Sequence, residues 1–291
     1  MKHSRLIVLF GAAALSQTLA AERTDKIFIQ GNPAGTQTVK EEAGRVVRVE
    51  YSYNDRGRGD HIVATWKLDA AGVPIEYDGK GNDYMKAPVE ERFAIKNGKA
   101  SWKNRSEKGE APVTGEAFYL PMSAPPEFSG VLARALLKAP NHKLPLLPAG
   151  EASIESAGKV KTTKGELTEY RIIGLGFSPQ SIWLDGDGLA SSVSGWFSVV
   201  PDGTESAIND LRTAQEKTDA AWSAHLARSL AHKPKAELII RNARRSDDGG
   251  LRRSVLRRSD RDHAGDGTDH PAFPAAGETG HAERSARSAE G

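Results

Sequence analysis

The residues best placed to do chemistry lie in one short stretch, "NDRGRGDH", residues 54–61. Asn54, Asp55, Arg56, Arg58, Asp60 and His61 surround two glycines there, between two runs of alternating apolar residues. Two arginines on one turn can clamp a carboxylate or a phosphate through paired, charge-assisted hydrogen bonds. Gly57 and Gly59 allow the positive φ or close backbone approach such a turn needs. These six residues form the candidate ligand-binding set. The same stretch also reads as a tight turn with locally paired charges, which is the simpler expectation.

Other chemistry-bearing residues are scattered. His61, His142, His225 and His232 are far apart and show no metal-ligand spacing; His263, His270 and His281 fall in the last stretch of the chain. Glu90 and Glu91 are adjacent in a strand-like run, so they point to opposite faces and cannot act on one substrate atom. There is no Gly-x-Ser-x-Gly, phosphate loop or dinucleotide fingerprint. The absence of cysteine excludes disulfides, thiolate catalysis and Cys-ligated metal. No catalytic or metal-ligating residue is assigned, and no cofactor is expected in this chain. Trp66, Trp102, Trp183, Trp196 and Trp222 each belong to a patterned element and read as core; a ligand-stacking platform is the other reading.

The elements that must position these residues follow from hydropathy patterning. The 291 residues carry 40 Lys plus Arg against 38 Asp plus Glu, a net charge of +2, which gives no electrostatic case for nucleic acid as a partner. "MKHSR", the apolar "LIVLFGAAAL" and the small residues at Ala20 and Ala21 make the three-part pattern of a secretory signal peptide over 1–21. That run is too short for a membrane span, and no other stretch approaches about 18 apolar residues. A periplasmic or secreted location is therefore expected.

"GRVVRVEYSYND" alternates Val47, Val49, Tyr51 and Tyr53 against polar residues, and "HIVATWKLD" does the same with Ile62, Ala64, Trp66 and Leu68. "VEERFAIKNGKASWKN" predicts two strands joined at Asn97-Gly98. "PEFSGVLARALLKAP" places Phe128, Val131, Leu132 and Leu136 on one helical side; "KLPLLPAG" reads as a Pro-punctuated loop. Strands are expected again in "GEASIESAGKV", "ELTEYRIIGLG", "SIWL" and "ASSVSGWFSVVP". A long helix follows Pro201, with Ile208, Leu211, Gln215, Thr218 and Trp222 on one stripe and Pro234 at its end. After Arg244 there is no Lys, Ile, Asn, Gln, Tyr, Trp or Met, and too little apolar surface for a core. That stretch reads as a natural disordered tail or as an out-of-frame product.

The expected class is mainly β with α (α+β): a curved antiparallel sheet with two helices, then a disordered C-terminal tail. The expected boundaries are a signal peptide over 1–21, a β-rich domain with one internal helix over 22–201, a connecting helix over 202–234, a strand stub over 235–244 and the tail over 245–291.

"LIIRNAR", residues 238–244, resembles the first strand of metal-dependent amidohydrolases. "GNPAGTQTV", "YSYNDRGRGDHI", "PVEERF", "LPLLPAG" and "LGFSPQSIWL" resemble the N-terminal extension of exported members of that superfamily. The resemblance covers about Lys26 to Arg244. It implies an accessory region of a periplasmic C–N bond hydrolase whose complete form would use a divalent metal such as zinc on a small-molecule or peptide substrate. This chain has no His-x-His and ends before a barrel of some 250 residues could begin, so catalysis by the chain itself is not expected. The alternative is a stand-alone periplasmic domain that binds a lipid or another ligand on the concave side of its sheet.

Overall fold

The computed structural model describes residues 21–231. Residues 1–20 of the expected signal peptide (1–21), and the strand stub and tail after Pro234, lie outside the described residues. Among the described residues the chain forms fifteen strands and two α-helices.

The first eight strands run as an antiparallel meander: β1 (Ala21–Ile29), β2 (Asn32–Glu42), β3 (Val46–Tyr53), β4 (His61–Leu68), β5 (Pro74–Asn82), β6 (Pro88–Lys96), β7 (Lys99–Lys103) and β8 (Lys108–Pro112). Their order follows from the short polar turns between alternating runs, because a strand that ends in a tight turn pairs with its predecessor. At the β6–β7 turn Asn97 and Gly98 both adopt positive φ, as a two-residue hairpin requires.

The chain then forms β9 (Phe118–Tyr119), helix α1 (Glu127–Lys138), β10 (Lys143–Leu147), β11 (Glu151–Thr162), β12 (Gly165–Ile173), β13 (Gln180–Leu184) and β14 (Ala190–Ser191). These strands make a second sheet in the order β14-β13-β12-β11-β10-β9, antiparallel except for the β9–β10 pair. The last strand, β15 (Phe197–Pro201), leaves that sheet and pairs with β1 of the first. Ser192 and Val199 exchange two backbone hydrogen bonds of 2.9 and 2.8 Å, so the edge of one sheet is stitched to the edge of the other. The result is a mostly antiparallel, curled β structure around α1.

"KLPLLPAG" is β10 rather than the expected loop. Leu144 and Leu146 alternate inward around Pro145, and the missing proline N–H is tolerated on this short strand. "ASSVSGWFSVVP" divides between β14 and β15, because the Ser194 hydroxyl accepts from Phe197 N at 2.9 Å and turns the chain between the sheets.

The core follows from the period-two patterning. Trp66, Tyr77, Phe93, Trp102 and Gly109 stand opposite one another across β4–β8 and form one inward row. Gly109 is required there: the Trp102 indole lies on it, and a Cβ would come within 2.4 Å of Cζ2. Helix α1 buries Phe128, Val131, Leu132 and Leu136 in the same core, and Phe128 reaches this row. Phe128 meets Trp66, Tyr77 and Phe118 edge-on, with ring centroids 5.1, 5.3 and 5.3 Å away. The inward face of the sheet is thus packed with its own helix and aromatic side chains.

Helix α2 (Ile208–Leu230) lies on the outer side of the second sheet. Ile208 and Leu211 are buried with Leu167, Trp183 and Val200 in a small separate core. Beyond that turn the contact is polar. The Gln215 side-chain oxygen accepts from Trp183 Nε1 at 3.2 Å, the Thr218 hydroxyl donates to the buried Glu169 carboxylate, and Arg171 lies 5.4 Å over the Trp222 ring.

Candidate functional site

The 54–61 stretch folds into a hairpin-like turn between β3 and β4. Asp55 and Arg58 exchange backbone hydrogen bonds of 2.7 and 3.0 Å, and Asn54 Oδ1 accepts from Gly57 N at 2.9 Å. Arg56 and Gly57 take the positive φ values that close the turn. Gly59 is fixed by space as well as by φ, since a Cβ there would sit 2.0 Å from the Tyr53 carbonyl oxygen. Gly59→Ala should therefore destabilise the protein by about 2 kcal/mol or more, read as a lowered thermal midpoint. An unchanged midpoint would show that the turn adapts.

The six candidate residues do not converge as one clamp. The Asp55 carboxylate accepts from Arg56 Nε at 3.0 Å, from Arg56 Nη2 at 3.3 Å and from the Tyr84 hydroxyl at 2.7 Å. Those bonds hold its carboxyl below the usual range. Arg56 is therefore matched locally, whereas the Arg58 guanidinium lies over the Tyr84 ring at 6.0 Å. Asn54 is spent on the turn, and His61 points to the exposed face of β4. Asp60 faces the other way, toward the Tyr51 hydroxyl at 3.5 Å; burial, then the neighbouring Asp83, raise its carboxyl above the usual range. Burial and the Asp60 charge likewise push the Tyr53 phenol up to about 12.

Three hollows adjoin along this end of the protein. Asp55, Arg56, Arg58 and Tyr84 line one of about 250 Å³. Tyr84 also lines the second, about 340 Å³, with Asp60, Asp83, Met85, Arg105 and Met122. Ala124 is shared by that hollow and a third of about 260 Å³ at the start of α1. The third is a mouth with a mainly apolar lining, which includes Leu120, Pro121, Pro125, Phe128, Leu132 and Leu175. Beside it Phe177 stands 95% exposed on the β12–β13 loop, and Met122 is 48% exposed.

The loop that rims the mouth is held by Glu91. Glu90 is exposed and Glu91 is 1% exposed, as alternation on a strand demands. Glu91 accepts from the Tyr119 hydroxyl at 2.7 Å, Met122 N at 2.9 Å and Ser123 N at 3.1 Å. This carboxylate organises a loop. Glu127 and Glu169, the other buried glutamates, are likewise committed to internal hydrogen bonds. Among the described residues no three His, Asp or Glu side chains gather as a metal site. Trp66, Trp102 and Trp183 are buried, as core tryptophans should be; Trp196 is 43% exposed, next to Tyr84 at 6.3 Å. The mouth was not marked by any polar motif. Its only signal is the "PMSAPPEF" proline cluster leading into an amphipathic helix.

Comparison with known proteins adds little. No family model matches the chain, and no curated protein does. Three chains among solved structures match. One is a β-barrel-like protein of domain of unknown function DUF1849 from Brucella abortus, 9% identical, with a TM-score of 0.40, covering 62% of this chain and 95% of that one. The resemblance to the amidohydrolase superfamily is corrected by these findings: no family model and no curated protein of that superfamily matches, and the solved structure named above is described as another family. Of the quoted motifs, those within the described residues are strands and turns of a curled sheet. Alternation and turn chemistry dictate such short sequences, so they recur without kinship.

Proposed function

We propose that residues 21–231 form a ligand-binding module that takes an apolar chain or ring into the mouth at the start of α1. The observation that carries this reading is the mouth itself: a mainly apolar lining, about 260 Å³ of space, and a rim of three prolines. Ligand sites are concave, mostly apolar and held by rigid surroundings. The prolines and the Glu91-anchored loop supply that rigidity. The leader pattern in the first 21 residues supports a periplasmic or secreted setting.

Decanol is a suitable probe, because it tests apolar capture without charge. Calorimetric titration should show saturable binding to the wild type. Ser129→Trp, which places a bulky ring at the mouth, should weaken binding about tenfold or more while the circular dichroism spectrum stays the same. No saturable binding by the folded wild type, or equal binding by the variant, would overturn the reading.

A further inference from the structure

We infer that the ligand of the mouth carries an anionic head group, a carboxylate or a phosphate, which is seated at Arg58. This rests on the reading of the mouth as an apolar site.

The three adjoining hollows change character in one direction. The mouth is mainly apolar, the middle hollow pairs Met85 and Met122 with polar groups, and the third is lined by two arginines. Neighbours along this track are close. The Tyr51 and Tyr53 rings are 5.7 Å apart, Tyr53 and Tyr84 are 6.4 Å apart, and Arg58 follows at 6.0 Å. Tyr51 lines the mouth and Arg58 the far hollow, so a row of neighbouring rings joins the two.

The charges along the track are already sorted. Asp83 is matched by Arg105 at 2.5 Å and by the backbone N–H groups of Met85 and Ala87. Asp55 is matched by Arg56 and Tyr84. Asp60 accepts from Tyr51 and has the Lys86 charge beside it. Arg58 remains exposed, and its guanidinium is presented over an aromatic face from a turn locked by Gly59. Lys86 Nζ donates to the Gly59 carbonyl oxygen at 2.9 Å and braces the same turn. A guanidinium binds carboxylate and phosphate through two parallel hydrogen bonds, and fixing it beforehand lowers the ordering cost.

The test compares decanoate, decyl phosphate, decanol and inorganic phosphate on the wild type, Arg58→Gln and Ser129→Trp. Decanoate and decyl phosphate should bind the wild type about tenfold more tightly than decanol, an advantage that shrinks with added salt. Arg58→Gln should reduce both to the affinity of decanol and leave decanol itself unchanged. Ser129→Trp should weaken all three long-chain ligands. Equal affinity of the wild type for decanol and decanoate would overturn the head-group seat and leave the mouth reading standing. Binding of none of the three would overturn both. Inorganic phosphate binding as tightly as decyl phosphate would show an anion site independent of the mouth, which also sinks the inference.

Discussion

Phe128→Ala is expected to lower the free energy of unfolding by about 3–5 kcal/mol, the range for deleting a buried aromatic ring. Phe128 is 3% exposed and sits where α1 meets the sheet. Removing it deprives Trp66, Tyr77 and Phe118 of a shared edge-on contact, beyond the loss of buried area. The surrounding rings are held by strand register and cannot collapse into the space, which places the cost toward the upper end. Urea denaturation at neutral pH measures it directly. Phe128→Leu should cost less than half as much, because it keeps most of the volume. Equal losses for the two variants would mean that edge-on ring geometry, and not cavity formation, dominates. A loss below about 1 kcal/mol for the alanine would show that the helix repacks freely.

Glu127→Gln is the second large effect, with an expected loss of about 3 kcal/mol. Glu127 sits at the first turn of α1, 4% exposed. One carboxylate oxygen accepts from Arg134 Nη2 at 2.5 Å and the other from Arg23 Nη2. Its own backbone N–H donates to Gln37 Oε1 at 2.9 Å, and Gln37 Nε2 donates to Asp25 Oδ2 at 2.6 Å. Arg23 returns to Asp25 at 3.2 Å, and Arg134 Nη1 donates to the Gly188 carbonyl at 2.9 Å. One network centred on Glu127 therefore ties β1, β2 and α1 to the β13–β14 loop. A neutral amide keeps the shape but leaves Arg134 without a carboxylate and Arg23 with Asp25 alone. The two arginines retain some access to water, which holds the estimate at the lower end for a broken buried pair. Denaturant titration of Glu127→Gln beside Arg134→Met, and of the double variant, gives the coupling energy. Additive losses would show that the network is a set of independent contacts.

Much of the architecture could be read locally. The alternation of Val47, Val49, Tyr51 and Tyr53, the Asn97-Gly98 turn and the Phe128–Leu136 stripe each carry their own geometric instruction. Two kinds of feature could not. The first is long-range pairing: nothing in Phe197–Pro201 says that it will lie beside Lys26, or that Phe118–Tyr119 will run parallel to β10. The second is the fate of buried polar groups. Glu91, Glu127 and Glu169 look like surface residues until the backbone amides, arginines and hydroxyls that satisfy them arrive from other segments. The 54–61 turn shows the same division. Its glycines and its local Asp55–Arg56 pair follow from composition, whereas the Tyr84 ring that separates Arg58 from Arg56 comes from two strands further on.

The position of β1 between β2 and β15 also governs how the chain can fold. Its inner neighbour is made almost at once, but its outer neighbour lies at Phe197–Pro201, near the far end of the β region. The stitch from Ser192 to Val199 waits on the same segment. Closing so long a loop is slow, and its entropy is recovered only when the last strand docks. A growing or threading chain consequently holds an open meander, with β1 unpaired on one side, until residue 201 is free. The domain latches once, late, and from its carboxyl end.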